Sequence, residues 1–326
     1  IVYASIEGPG GGGGGAGGRG GALGDPGTTG IYRSDDGGNT WRKLHANNPR
    51  PMYFSQVRID PNNPDRVYMG GVGMQMTIDG GKTWETDAAM AIHDDVHAIW
   101  IDPNNSNHLL IGNDGGLAVS YDMSRTWQFI PNLPVGLFYH VGYDMETPYN
   151  VCGGMQDNYD WCGPSRSRHT AGIYNYDWFQ VLGGDGFVSI PDLRDSRIIY
   201  TESQDGNTSR YDLFSGAQRS IRPVPAGGGE GRGAGATCVD GRVVTAGGGR
   251  GGGGGGGRGN ANANVLNSAP GDAARFNWNT PYQLSPHNPS VVWYGGARLY
   301  KSYDRGDRYT QSADLTRQID RCTVSL

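Results

Sequence analysis

An all-β fold of repeated, blade-like sheets is what this 326-residue chain predicts, on three observations. The first is one eight-residue pattern written three times: Ser34-x-Asp36-x-Gly38-x-Thr40-Trp41, Thr77-x-Asp79-x-Gly81-x-Thr83-Trp84 and Ser120-x-Asp122-x-Ser124-x-Thr126-Trp127. Trp41, Trp84 and Trp127 follow one another at an interval of 43 residues, and a worn fourth copy, Ser302-x-Asp304-x-Gly306-x-Arg308-Tyr309, lies near the C-terminus. The second is the absence of long amphipathic helical stretches; short runs rich in Val, Ile, Tyr and Trp alternate instead with clusters of Gly, Pro, Asn and Asp. The third is a common order before the pattern: an apolar run ending in Asp-Pro-Asn-Asn, then a second apolar run. Self-similarity at a period of roughly 40–45 residues with strand-rich units points to a β-propeller.

Each element then has a reason. Val57–Asn63 and Ala98–Asn105 are strands closed by Pro and Asn, which supply the φ values of a tight turn. Arg66–Gly70 and His108–Gly112 are the returning strands, and a third strand runs into the eight-residue turn. In that turn the Ser or Thr hydroxyl and the Asp carboxylate satisfy backbone N–H groups. Gly takes the left-handed position, and Trp covers the hairpin base. Counting periods forward predicts blades at about 1–44, 57–87, 97–130, 139–185, 187–216, 217–265 and 276–312 within one domain over 1–326. Ser203-x-Asp205-x-Asn207 reads as a decayed copy of the turn, and 141–185 as a blade with no copy. These seven equivalents form either one seven-bladed propeller or a window cut across two. Glycine tracts at 8–21, 227–235 and 247–259 bury no apolar area and read as insertion loops.

Composition narrows the function. A formal charge of −5 with 18% charged residues argues against bulk electrostatic binding of nucleic acid. No apolar run approaches the ~18 residues of a membrane-spanning helix. The chain opens on Ile1-Val2-Tyr3-Ala4-Ser5, a strand already under way, which reads as a segment of a longer or processed protein. Cys152 and Cys162 flank a turn-rich stretch and are placed either to close a disulfide, which implies an oxidising compartment, or to lie as two buried thiols. Cys238 and Cys322 have no readable pairing, and the spacing of the four is wrong for zinc.

Segments that depart from the repeat are where chemistry is expected, because a plain blade needs none of them. His93-Asp94-Asp95-Val96-His97 would place Asp95 and His97 on one side of an extended strand, as a general base or a metal pair, although a polar loop explains it too. Gly153-Gly154-Met155-Gln156-Asp157-Asn158 and Gly183-Gly184-Asp185-Gly186 set paired glycines beside a lone carboxylate. Such backbone must approach something closely, either a neighbouring blade or a ligand. Asp95, Asp157 and Asp185 are therefore the candidate catalytic carboxylates at a central cavity. His97, Gln156, Asn158, Trp161 and Trp178 are the candidate ligand-binding groups, within a stretch also crowded by Tyr139, Tyr159, Tyr174, Tyr176 and Phe179. No metal site and no cofactor is expected.

The repeated turn is the Asp-box motif, and on it the chain resembles the Asp-box (BNR-repeat) β-propellers over most of its length. That superfamily includes sialidases, tandem-propeller xyloglucanases and the sortilin/VPS10 receptors. Asp157 in Gly-Gly-x-Gln-Asp-Asn, Asp185 in Gly-Gly-Asp-Gly and the segment Arg275–Pro281 look most like secreted bacterial sortilin-like and BNR-repeat glycosyl hydrolase-like proteins. The resemblance implies that Asp36, Asp79, Asp122 and Asp304, with Trp41, Trp84 and Trp127, stitch outer hairpins. The sialidase arginine triad with its Tyr–Glu pair is not assembled here. Ile31–Gly38, where a xyloglucanase carries an acidic motif, is an ordinary copy of the turn. The expectation is a secreted or periplasmic binding or scaffold module, with a polysaccharide, peptide or protein ligand and further propeller domains of the same polypeptide as partners. The alternatives are a glycoside hydrolase using paired carboxylates and a structural part of an extracellular assembly.

Overall fold

In the computed structural model, residues 1–8, 27–46, 48, 56–133, 135–226, 236–239, 242–245, 263–269, 272 and 274–316 are described. The described residues hold strands and two short 3-10 turns, with no α-helix among them. Nearly all of the three glycine tracts, and Cys322, lie outside the described residues, as does the side chain of Cys238. The chain divides into two units, Ile1–Val135 and Gly136–Leu326.

The first unit holds three antiparallel sheets, each an up-and-down meander in chain order. They are β1 (Val2–Ile6), β2 (Gly30–Ser34) and β3 (Arg42–His45); β4 (Val57–Asp60), β5 (Asn63–Met69) and β6 (Gln75–Thr77); and β7 (Val96–Asp102), β8 (Asn105–Asn113), β9 (Gly116–Ser120) and β10 (Gln128–Phe129). A bridge between Met76 and Glu85 adds a fourth rung to the second sheet. Tyr68, Met74, Val96, Ile99, Leu109 and Ile111 form the core of this unit.

The second unit repeats the meander with β11 (Gly142–Tyr143), β12 (Asn150–Gly154), β13 (Asp160–Pro164) and β14 (Phe179–Leu182), then β15 (Gly186–Asp192), β16 (Asp195–Ser203), β17 (Asn207–Asp212) and β18 (Gln218–Ser220). A two-stranded piece follows, β19 (Ala236–Val239) with β20 (Arg242–Thr245). The last sheet is β21 (Tyr282–Leu284), β22 (Val292–Gly295), β23 (Leu299–Ser302) and β24 (Thr310–Gln311). The sheet begun at Gly186 runs on to Ser220, past the expected boundary at 216, because β18 pairs with β17. The core here is rich in tyrosine: Tyr200, Tyr282, Tyr294, Tyr300 and Tyr309 are all buried. Burial of a tyrosine is stable when its hydroxyl finds a partner. The single Tyr282 hydroxyl is shared between the Val188 and Tyr200 carbonyls, 2.9 and 2.8 Å away, and Tyr309 donates to the Ile221 carbonyl at 2.8 Å.

The repeated turn has one geometry in all four copies. Ser34 Oγ donates to Asp36 Oδ1 at 2.7 Å and accepts from the Gly38 N–H at 2.8 Å. Asp36 in turn accepts from the Thr40 N–H at 2.9 Å and from the Thr40 hydroxyl at 2.6 Å. Asp79 and Asp122 repeat these contacts, and in the fourth copy Arg308 Nε takes the place of the Thr hydroxyl at 2.7 Å. The two residues after each Asp are left-handed, Gly37 and Gly38 in the first copy, but Met123 and Ser124 in the third, at φ 61° and 75°. Ser124 makes use of that position: its hydroxyl donates to the Ala88 carbonyl, and Trp127 Nε1 donates to the same carbonyl at 2.9 Å. The hydrogen bonds from Thr40, Thr83 and Thr126 hold the carboxyls of Asp36, Asp79 and Asp122 below the usual carboxylate range. For Asp304, burial acts upward, and the bonds from Arg308 and Ser302 outweigh it. Because these folded-state values are depressed, their stabilisation is present at neutral pH and is lost as pH falls below ~4. Asp79→Ala is expected to lower the melting temperature and to flatten the acid limb of a stability–pH curve. An acid limb unchanged by this substitution would show that the turn does not use its carboxylate.

Ser203-x-Asp205-x-Asn207 is not a copy of this turn. It joins the second and third strands of its four-stranded sheet, whereas the copies at Asp122 and Asp304 join the third and fourth strands of theirs. The equivalent connection, between β17 and β18, is closed by Asp212, which accepts from the Phe214 N–H at 2.8 Å, with Gly216 left-handed at φ 69°. A three-residue match to a short polar pattern is met by any Asx turn.

Candidate functional site

In the second unit, one end of the sheets is built by the β12–β13 turn (155–159), the β14–β15 connection (183–185), the β16–β17 turn (204–206) and the entry to β21 (275–280). The Gln-Asp-Asn-Tyr turn bends sharply: Asp157 and Tyr159 are left-handed at φ 62° and 70°, and Met155 N–H donates to the Tyr159 carbonyl at 2.9 Å. Asp tolerates that conformation, but Tyr rarely adopts it. The bend leaves the Tyr159 side chain 43% exposed.

Asp185 ties these loops together. It is buried, Oδ1 accepts from the Asp157 N–H at 2.9 Å, and Oδ2 accepts from Gln204 Nε2. Gln204 Oε1 in return accepts from the Asp185 N–H at 3.2 Å, and the Asp205 N–H donates to the Trp278 carbonyl at 3.1 Å. Above this brace the Tyr139 ring lies 5.0 Å from Phe187, which meets Trp278 edge-on at 6.1 Å. Tyr139 donates to Gln156 Oε1, and its hydroxyl is pushed to higher pKa by desolvation and by the charges of Asp157 and Asp185. His140 Nε2 stands 3.3 Å from Asn279 Nδ2. Exposed rings and amides therefore crown a braced loop cluster.

Asp157 and Asp185 come together, but through a backbone N–H rather than across a cavity. Asp95 and His97 belong to the first unit. Asp95 is left-handed at φ 60° and precedes β7, so the extended alternation expected to align it with His97 does not hold. Its N–H donates to the Val72 carbonyl at 3.1 Å, and His97 Nε2 meets Asp114 Oδ1 at 3.0 Å. Gln156 accepts from Tyr139, and Asn158 Nδ2 donates to the Gln156 carbonyl at 3.1 Å. Trp161 Nε1 donates back to the Asn158 carbonyl at 2.7 Å. Trp178 lies on Gly163, where a Cβ would come 2.4 Å from its ring, and 5.9 Å from Phe138. Trp161 and Trp178 thus pack against their own loops. Cys152 and Cys162 face each other across β12 and β13 and form a disulfide.

Two groups beneath the brace were not singled out in the sequence. Asp160 and Glu202 are fully buried. Asp160 Oδ1 accepts from Ser189 Oγ at 2.8 Å and Glu202 Oε1 from the Thr280 N–H at 2.6 Å, while Asp160 Oδ2 and Glu202 Oε2 have no partner among the described residues. Desolvation raises both carboxyls to about 8, against the Ser189 and Thr280 bonds that favour the charged forms; Asp160 raises Glu202 further. No sequence signal marks them, because strand alternation cannot distinguish a carboxylate sealed between sheets from one in water. The opposite end of these sheets carries a cleft of about 440 Å³ beside Glu146, Asp192, Arg194, Asp195, Ser196 and Arg197. In it Arg197 Nε pairs with Asp195 at 2.8 Å and Ser196 Oγ donates to Glu146 at 2.5 Å.

No protein-family model matches the chain, and neither does any curated protein. Among solved structures it is similar to "YCF48 bound to D1 peptide", at 14% identity over 89% of this chain and 76% of that one, with a TM-score of 0.32. It is also similar to the GH74 xyloglucanase from Xanthomonas campestris, at 16% identity over 96% of this chain and 43% of that one, TM-score 0.30. A GH74 enzyme from Niastella koreensis compares at 13% identity, 86% and 42% coverage, and TM-score 0.30. The chain spans less than half the length of these two GH74 chains.

Proposed function

We propose that the chain is a binding module of the Asp-box β-propeller type, its sheets the blades, which takes a polysaccharide or peptide ligand on the braced loops of the second unit. The carrying observation is the use made of Asp185. Both its oxygens accept hydrogen bonds, from Asp157 N–H and from Gln204. A carboxylate so engaged is a poor nucleophile or base, which weighs against a glycosidase built on Asp157 and Asp185. It suits a rigid platform, since pre-ordered loops lose less freedom on binding. Tyr139, His140 and Tyr159, all exposed, supply flat faces and polar edges for the ligand. The Cys152–Cys162 disulfide fits secretion or export to the periplasm.

Arrays of glycans and peptides probed with the purified protein test this reading. Tyr139→Ala and Tyr159→Ala are expected to weaken binding about five- to tenfold, the loss of roughly 1 kcal/mol of ring contact each. A wild-type protein that binds nothing, or variants that bind equally well, would remove the proposal. Release of new reducing ends from a bound glycan, abolished in Asp157→Asn, would replace it with the hydrolase.

A further inference from the structure

The connection between β13 and β14, residues 165–178, stands where the β7–β10 and β21–β24 sheets carry the repeated turn, and it is about twice as long. It leaves the sheet at the far end from Asp157 and Asp185, because β13 runs from Asp160, beside the 155–159 turn, to Pro164. The loop is ordered by its own bonds. Ser165 N–H donates to the Tyr149 carbonyl at 2.8 Å, Gly172 N–H to the His169 carbonyl at 3.1 Å, and Tyr174 N–H to Asp177 Oδ2 at 2.8 Å. Asp177 N–H returns to the Tyr174 carbonyl at 3.0 Å, and Trp178 pins the loop's end onto Gly163.

What this fixed loop holds outward is aromatic. Tyr174 and Tyr176 stack with centroids 5.2 Å apart and planes 10° from parallel, yet they are 42% and 68% exposed. His169 meets both rings edge-on, with Nε2 3.0 Å from the Tyr176 hydroxyl oxygen. Ordering a loop costs conformational entropy, and rings left in water return little burial for it, so packing does not account for the arrangement. Arg166 and Arg168 stand exposed on the same loop, and among the described residues neither guanidinium has a hydrogen-bond or ion-pair partner. In a chain of formal charge −5, this is a local cationic spot beside a flat apolar one.

We infer that this loop is a second binding platform, separate from the braced end, for an acidic, uronate-bearing polysaccharide. A pyranose ring offers a flat face of C–H groups about the size of a tyrosine ring, and the Tyr176 face accepts it by dispersion and quadrupole attraction. The carboxylates of neighbouring sugars meet Arg166 and Arg168 through planar, charge-assisted pairs. An acidic peptide satisfies the arginines equally but lacks the repeated flat face, so the stacked rings favour the sugar.

Affinity electrophoresis of the whole protein through gels containing polygalacturonate, with dextran and poly-glutamate gels as controls, tests the inference. Retardation is expected in polygalacturonate only, weakening as salt is raised. Tyr176→Ala is expected to weaken it about tenfold at an unchanged melting temperature, because that ring is mostly in water. The pair Arg166→Gln with Arg168→Gln should weaken it comparably and remove most of its salt sensitivity. The braced end is tested separately by Tyr139→Ala on the arrays, so the two proposed surfaces stand or fall separately. Absence of retardation, retardation indifferent to Tyr176→Ala and to the arginine pair, or equal retention by poly-glutamate would each overturn the inference.

Discussion

Raising the pH from about 4 to about 8 is expected to destabilise the second unit progressively, and replacing Asp160 by Asn together with Glu202 by Gln should abolish most of that loss. The unfolded chain ionises these groups at the ordinary values of 3.8 and 4.5, whereas burial holds both folded carboxyls protonated up to about 8. Between those limits the unfolded state has released protons that the folded state keeps, so stability falls with rising pH and levels off above the folded values. Each group that stays neutral contributes a slope of about 1.4 kcal/mol per pH unit in that window. The substituted amides keep the acceptors for Ser189 and Thr280 and carry no proton to lose. They do bring one more N–H to satisfy, so a small loss at the acid end of the window is expected. Denaturant midpoints across the window measure this directly. A wild-type profile as flat as the variant's would mean that the two carboxyls are solvated or cation-bound rather than sealed. Since the repeated-turn carboxylates lose their contribution below pH ~4, the stability maximum is expected close to pH 4–5.

Gly154→Ala is expected to be the most damaging single methyl that can be added to the second unit, costing about 3 kcal/mol or more. A Cβ there would lie 2.1 Å from the Phe187 nitrogen, 2.2 Å from the Gly186 carbonyl carbon and 2.5 Å from Asp160 Oδ1. Two of these are backbone atoms of β15, which have no rotamer to move into. Gly142 and Gly186 make the same kind of approach, to the Ser189 and Tyr159 carbonyls at 2.2 and 2.3 Å. Gly216→Ala is the control. Its φ of 69° is left-handed, but open space surrounds it, so only a backbone cost of about 1 kcal/mol is expected. Equal losses in the two variants would show that the sheets do not meet backbone-to-backbone at Gly154.

This answers a question that the paired glycines leave open in the sequence. Gly153-Gly154 and Gly186 demand a close approach, and the chain alone allows either a ligand or a neighbouring sheet; at Gly154 the approach is to β15. The aromatic crowd between Phe138 and Phe179 divides in the same way. Trp161 and Trp178 turn inward onto Asn158 and Gly163, while Tyr174 and Tyr176 turn outward. Residue type is the same signal in both cases, and only the path of the loop distinguishes them.

The strands, their meander order and the four repeated turns are legible along the chain because each rests on interactions within a few residues. Ser34, Asp36, Gly38 and Thr40 close their hydrogen bonds over four positions, so spacing alone specifies the geometry. Asp205 shows the limit of that logic, since a short polar match placed it in the wrong hairpin. What needed the tertiary structure is everything joined over long separations. The clamp of Asp185 on Asp157 and Gln204, the sealing of Asp160 and Glu202 between sheets, and the seating of one backbone on another at Gly154 depend on which strands become neighbours. Strand alternation says which side of a sheet a residue takes, but whether that side meets water, another sheet or a ligand is decided only when the sheets pack.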